Sequence, residues 1–162
     1  MPHVIAVYPG TFDPITLGHE NMVQRAAALF DEVIVAVAVA HHKKTLFSLE
    51  ERMEMVRQVM RPWPHVRVES FSGLVRDFAR LHGASLMVRG VRSVTDFEYE
   101  AQLAGMNRRL ATEVDTIFLT PGEGLQHISS TLVREIAILG GERDVAQFVS
   151  PYVLVQLQKR TS

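Results

Sequence analysis

Five short apolar runs, Val4 to Tyr8, Val33 to Ala40, Val66 to Phe71, Leu86 to Val88 and Thr116 to Leu119, alternate with stretches of helical period. Most of the runs are rich in β-branched residues and apolar at successive positions. That is the pattern of parallel strands covered on both faces. Between the runs, Ser48-Leu49-Glu50-Glu51 has the form of a capping box, and Met53, Val56 and Met60 follow on one helical face. Thr95-Asp96-Phe97-Glu98 has the same form and leads into Tyr99, Leu103, Met106 and Leu110. Strand and helix patterns in this alternation predict a five-stranded parallel sheet with right-handed crossovers and helices on both faces. No repeat, biased segment or long linker divides the chain. The expectation is an α/β, doubly wound single domain over residues 1–162, with a C-terminal helical segment from about residue 129 packed on it.

Composition narrows the function more by exclusion than by suggestion. Hydrophobic residues make up 47% and charged residues 22%, an ordinary globular balance. The formal net charge of -1 at pH 7 gives no basic field for nucleic acid. There is no cysteine, so thiol catalysis, disulfides and Cys-based zinc sites are excluded. The longest clearly apolar run, Val33 to Ala40, is far short of a bilayer span, and Met1-Pro2-His3-Val4 lacks a basic leader region. These features predict a cytoplasmic protein that uses neither membrane nor nucleic acid.

In a doubly wound sheet, ligands sit beyond the carboxyl ends of the strands. The first strand runs into Tyr8-Pro9-Gly10-Thr11-Phe12-Asp13-Pro14, and Ile15-Thr16-Leu17-Gly18-His19 then opens a helix. Gly10 permits a close approach to the backbone, and Thr11 places a hydroxyl at the strand's end. Gly18 leaves room at a helix N-terminus, where free N–H groups favour an anion, and His19 can donate to a phosphate oxygen. Taken alone, this is more readily an ordinary strand-turn-helix connection with a surface histidine. Near the C-terminus, Ile128-Ser129-Ser130-Thr131-Leu132-Val133-Arg134 presents three hydroxyls at a helix start, with Arg134 one turn on. Such a cluster binds polyphosphate oxygens or simply caps a helix. Neither a G-x-x-x-x-G-K-[ST] loop nor a complete G-x-G-x-x-G occurs.

Together, T-x-G-H and I-S-S-T-x-x-R in this order resemble the nucleotidyltransferase superfamily. Tyr8 to Thr16, Leu49-Glu50-Glu51-Arg52, Arg89-Gly90-Val91-Arg92, Asp96-Phe97-Glu98-Tyr99-Glu100 and Met106-Asn107 narrow the resemblance to the phosphopantetheine adenylyltransferase family, over residues 4 to about 153. The resemblance implies a Rossmann-like fold and transfer of AMP from ATP to 4′-phosphopantetheine. The products would be dephospho-coenzyme A and pyrophosphate. It implies that Thr11 and His19 contact the reacting phosphates, and that Lys43 and Arg89 hold the acceptor phosphate with Val75 on the pantetheine arm. Phe12, Gly90, Val91, Arg92, Glu100 and the run Leu125, Gln126, His127, Ile128, Ser129, Ser130, Thr131 would contact ATP. Catalysis would rest on Thr11, His19, Lys43 and Arg92. It further implies Mg²⁺ carried mainly by the ATP phosphates, with no protein metal ligand, a homohexamer, and possible feedback by coenzyme A.

The sequence departs from that family at Gly124-Leu125-Gln126-His127, where aromatic residues are usual, at Thr131, usually Ser, and at Arg134, often Lys. Two other readings stay open at this point: a related transferase with a different acceptor, and a nucleotide-binding sensor without turnover.

Overall fold

The computed structural model describes residues 1–162, the side chain at position 142 apart. Its elements follow the order β1 (Ile5–Gly10), α1 (Leu17–Ala27), β2 (Glu32–Ala38), α2 (Leu49–Met60), β3 (Val66–Phe71), α3 (Val75–Leu81), β4 (Leu86–Gly90), α4 (Val94–Leu110), β5 (Asp115–Leu119), α5 (Ser130–Ile138), α6 (Glu142–Val145) and α7 (Pro151–Thr161). The strands form one parallel sheet in the order β3-β2-β1-β4-β5. The five apolar runs are these five strands, each displaced by no more than a few residues at its ends.

Alternate side chains of the central strands enter different cores. Ala6 and Tyr8 of β1 and Val33, Val35 and Val37 of β2 join a large cluster that also takes in α1, α2 and α7 residues. Val7, Ile34, Ala36 and Met87 point the other way, into a smaller cluster closed by Phe78 and Ala79 of α3. Burial on both faces is why these strands read as unbroken apolar runs. Val133, Ala137, Val145, Val149, Val153 and Leu157 belong to the large cluster, so the C-terminal helices share the core of the sheet.

The helix starts show where local sequence sufficed and where it did not. Ser48 and Glu51 form the expected reciprocal box, each side chain accepting the other's backbone N–H. The box expected at Thr95 does not form. Ser93 caps α4 instead, accepting from the Asp96 N–H at 3.1 Å, and the Asp96 carboxylate accepts from the Arg92 N–H. Extended backbone at Ser93 places its hydroxyl at the N-cap position, and Thr95 is already inside the first turn. The apolar face expected to bury α4 is also not covered by this chain: the helix has no buried residue, and Phe97, Tyr99, Met106 and Leu110 are exposed.

One consequence of the strand order positions the site. Consecutive connections run outward from β1 to β3 and then return to β4, so the order reverses between β1 and β4. Those two strands pair only at Ala6 with Leu86 and Val7 with Met87. Beyond that point Tyr8 to Gly10 and Val88 to Gly90 diverge, opening a crevice at their carboxyl ends. Such a switch point is where an open α/β sheet takes its ligand.

Candidate active site

A cavity of about 450 Å³ occupies that crevice. Its walls come from the β1–α1 loop, α1, the β2–α2 loop, the end of β4, α4, and the start of α5. Of the residues marked out from sequence, Thr11, Phe12, His19, Lys43, Arg89, Gly90, Arg92, Glu100, Leu125, Ile128, Ser129, Ser130, Thr131 and Arg134 line it. Val75, Val91, Gln126 and His127 do not. Val75 packs against the smaller core at the start of α3. The Val91 N–H continues the β4–β5 ladder to the Leu119 carbonyl, and His127 meets the Phe148 ring edge-on.

The first loop is shaped by a ring folding back on its own strand. Phe12 has a φ of 51°, a left-handed conformation that is strained for an aromatic residue. Its buried ring lies so close to Gly10 that a Cβ there would stand 2.9 Å away. The close approach expected at Gly10 is therefore made by Phe12 itself. The same ring meets His19 edge-on at 5.0 Å and limits where the imidazole can turn.

His19 is fixed further by its place in the helix. It is the third residue of α1, and Thr16 is the N-cap. The Thr16 N–H donates to His19 Nδ1 at 3.1 Å, and the His19 N–H returns a bond of 3.4 Å to Thr16 Oγ1. A ring that accepts through Nδ1 carries its proton on Nε2 when neutral, leaving Nε2–H free to donate. Burial, with the Arg92 guanidinium adding to it, pushes the imidazolium pKa from 6.5 down to about 4. His19 is thus a neutral donor, unsuited to act as a base at neutral pH.

This makes a direct prediction. In a ¹⁵N-resolved titration His19 should remain the Nε2–H tautomer from about pH 8 to pH 5. Because the folded value lies below the ordinary 6.5, protonation favours the unfolded chain. The stabilisation that comes with a neutral His19 is complete above that ordinary value and is lost as pH falls toward 4. An imidazolium signal at pH 6 would overturn the assignment.

The hydroxyl cluster proves to have structural partners. Ser129 is the N-cap of α5 and accepts from the Leu132 N–H. Ser130 Oγ donates to the Pro14 carbonyl at 2.7 Å, and Arg134 Nη1 donates to the Asp13 carbonyl at 2.6 Å. The two signature segments are therefore locked to each other across the cavity floor. The α5 N-terminus still faces the cavity, with Thr131 and the free N–H groups of the first turn beside it.

Cations dominate the walls. Arg89 donates from Nε and Nη2 to both oxygens of Glu100, at 2.9 and 2.7 Å. That bond raises the Arg89 pKa and holds its planar fork in one orientation. Glu100 was expected beside the nucleotide; in this structure both its oxygens are taken by Arg89. Arg92 donates to the Ile128 carbonyl at 3.1 Å, which joins the end of β4 to the serine cluster. Lys43 and Lys44 enter from the exposed β2–α2 loop. Tyr8, Thr16, Met22, Lys44, Thr45, Asp96 and Pro121 also line the cavity; none was given a role beforehand, and Tyr8, Thr16 and Asp96 entered only as members of motifs. Thr16 carried a further signal, being a capping residue type three positions before His19.

Residues 7–136 match the cytidylyltransferase-like family model. Phosphopantetheine adenylyltransferase from Acidovorax sp. (strain JS42) is 69% identical over 153 residues, which is 94% of this chain and 92% of that protein. The chain belongs to the phosphopantetheine adenylyltransferase family. The relative of the same name from Ralstonia pickettii (strain 12J) is 58% identical over 158 residues, covering 98% and 93%. Among solved structures, a protein described as a nicotinate-nucleotide adenylyltransferase from Vibrio parahaemolyticus superposes with a TM-score of 0.69 at 18% identity, covering 97% of this chain and 99% of that one. A bifunctional NMN adenylyltransferase/ADP ribose pyrophosphatase from Francisella tularensis, complexed with AMP and a manganese ion, gives 0.63 at 18% identity, covering 86% and 42%. At such identity the two structures establish the shared nucleotidyltransferase fold and nothing finer. Within the phosphopantetheine adenylyltransferase family, the cavity at the β1–β4 switch point is the candidate active site.

Proposed function

We propose that this chain transfers the adenylyl group of ATP to 4′-phosphopantetheine, giving dephospho-coenzyme A and pyrophosphate, by direct in-line displacement. The observation that carries the mechanism is that the cavity combines several cations with a neutral, oriented imidazole donor and no free base. Each lining carboxylate is already engaged. Asp13 accepts from the Leu46 and Phe47 N–H groups, Asp96 from Arg92 and Glu100 from Arg89. Such a site suits the joining of two anions, where charge must be neutralised and the reactants aligned.

In this reading Lys43 and Arg89 hold the acceptor phosphate, which is already largely ionised near neutral pH and attacks the α-phosphorus unaided. Arg92, Thr11 and the α5 N-terminus hold the nucleotide phosphates. His19 Nε2–H and the Thr11 hydroxyl receive the charge that develops on the α-phosphate oxygens. No covalent enzyme intermediate is required. Among the described residues, no group of three His, Asp or Glu is placed to hold a metal ion. In this reading Mg²⁺ would enter as MgATP, with the ion on the polyphosphate, where it would neutralise charge.

The exposed apolar residues Phe97, Tyr99, Met106 and Leu110 support self-association through α4, and a homohexamer is the assembly we propose. Among the described residues, no helix is long and apolar enough to cross a membrane. A cytoplasmic location is part of the same proposal, by the family's role in making a soluble metabolite. Feedback by coenzyme A is a further part of the reading, since coenzyme A carries the same phosphopantetheine arm as the acceptor and that arm would occupy the acceptor half of the cavity.

Pyrophosphate release from ATP plus 4′-phosphopantetheine tests the activity, and its absence in folded protein would leave the sensor reading standing. For the substrate assignment, Lys43→Ala and Arg89→Ala should each weaken phosphopantetheine binding by about tenfold or more, leaving ATP affinity nearly unchanged. Calorimetric titration of each ligand decides it. A loss confined to ATP would place both residues on the other substrate.

A further inference from the structure

Arg52 is 1% exposed, and the mechanism above gives it nothing to do. A buried guanidinium is costly, and a packed hydrophobe of similar volume commonly serves stability as well or better. Its presence here therefore calls for a reason beyond filling the core.

The groups it holds supply one. Nη1 donates to the Thr11 carbonyl at 2.8 Å and to the Ala38 carbonyl at 2.7 Å. Nη2 reaches the Val39 carbonyl at 3.5 Å, and Nε donates to the Phe47 carbonyl at 3.3 Å. All four carbonyls belong to segments that carry the site. Thr11 lies on the first loop, Ala38 and Val39 enter the β2–α2 loop, and Phe47 leaves it. Asp13, 2% exposed, completes the arrangement from the first loop. Its Oδ2 accepts from the Leu46 N–H at 2.8 Å and its Oδ1 from the Phe47 N–H at 2.9 Å. Arg134 approaches the same carboxylate at 3.7 Å and the Asp13 carbonyl more closely.

The β2–α2 loop is thus clamped at both ends by two buried groups of opposite charge. Residues 40–45 form an arch between fixed points. Ala40 takes a φ of 61°, and the Lys43 N–H closes a turn onto the Ala40 carbonyl at 3.1 Å. Lys43, Lys44 and Thr45 of that arch line the cavity. We infer that Arg52 is a positioning residue that holds the Lys43 arch in register with Thr11, and so sets the acceptor phosphate against the nucleotide. The inference rests on the reading of Lys43 as an acceptor-phosphate ligand. A guanidinium suits the task because its planar fork reaches several carbonyls in fixed directions, whereas an ammonium is a compact point charge on a flexible alkyl stem.

The test is steady-state kinetics of the full chain with Arg52→Lys, Lys43→Ala and the double variant. Arg52→Lys keeps a positive charge beside Asp13 but loses the fork. It should raise KM for phosphopantetheine about tenfold and leave KM for ATP within about twofold. In the Lys43→Ala background the same change should have little further effect on the acceptor, because two residues acting through one contact are not additive. Equal rises for both substrates, no change, or full multiplication in the double variant would overturn the inference. If Lys43→Ala alone leaves the acceptor KM unaltered, the placement of Lys43 fails, and the inference falls with it. Should Arg52→Lys not fold, one glycine inserted between Lys44 and Thr45 serves instead. It slackens the exposed arch without touching the buried pair, and such loop insertions are well tolerated. The same selective rise is expected, and an unchanged acceptor KM would overturn the inference.

Discussion

Replacing His19 by alanine should lower turnover by on the order of 100- to 1000-fold while ATP affinity changes little. The expectation follows from the way the ring is held. Its Nδ1 is occupied by the Thr16 N–H, the Phe12 ring limits its rotation, and burial keeps it neutral. A donor prepared in this way meets no reorganisation cost when charge builds on the α-phosphate. The bond therefore strengthens in the transition state more than in the ground state, and its loss appears in kcat. Alanine also removes a capping interaction, worth about 1 kcal/mol to α1. His19→Gln separates the two effects. An amide oxygen at the third helical position can still accept the Thr16 N–H, as Gln does in an ordinary capping box, but the imidazole Nε2–H is gone. The glutamine variant should thus keep nearly native Tm and lose most of the rate. Unchanged turnover in either folded variant would show that His19 only caps its helix.

Pantetheine lacking its phosphate should be a poorer acceptor by on the order of 1000-fold or more. It loses the charged group that Lys43 and Arg89 would grip, and its terminal alcohol needs a base to become a nucleophile. The cavity has none to spare. Asp13 is buried and bonded to two backbone N–H groups, Asp96 accepts from the Arg92 N–H and Glu100 is paired in both oxygens with Arg89. His19, with its pKa near 4 and Nδ1 already accepting, is too weak a base and faces the wrong way. Pyrophosphate release with each acceptor at equal concentration, across about pH 6 to 9, provides the comparison. The unphosphorylated compound should gain rate toward high pH as its alcohol yields a proton more readily to solvent. Comparable rates with both acceptors would refute the acceptor assignment and the base-free mechanism together.

Local sequence was enough for the strands, because burial on both faces leaves few polar positions in Val33 to Val37 or in Ile5 to Val7. It was also enough for the Ser48 box, whose partners are three residues apart and need nothing else. Likewise, T-x-G-H and I-S-S-T-x-x-R were legible as motifs, since each sits whole at one strand-to-helix junction. Elements settled by neighbours distant in the chain could not be read in this way. The α4 helix shows it: the spacing of Tyr99, Leu103, Met106 and Leu110 specifies a helix but not what covers it, and this chain does not cover it. Ser93 displaced Thr95 as its cap because the path of the chain leaving β4 decided which hydroxyl met the first turn.

The same division runs through the site. Sequence alone determined which residue types the site contains: a histidine at a helix start, hydroxyls at another, and basic residues at the ends of the second and fourth strands. Only the tertiary structure decided how they act on one another. The reversal of strand order brought the ends of β1 and β4 side by side, and their divergence after Val7 and Met87 made the cavity. Folding turned Ser130 and Arg134 onto the carbonyls of the first loop and closed Glu100 onto Arg89. It also buried Arg52 among carbonyls drawn from Thr11, Ala38, Val39 and Phe47. A periodic pattern records which face of an element avoids water, because that preference belongs to each residue. A hydrogen bond between segments depends on distances that exist only once the sheet has set them.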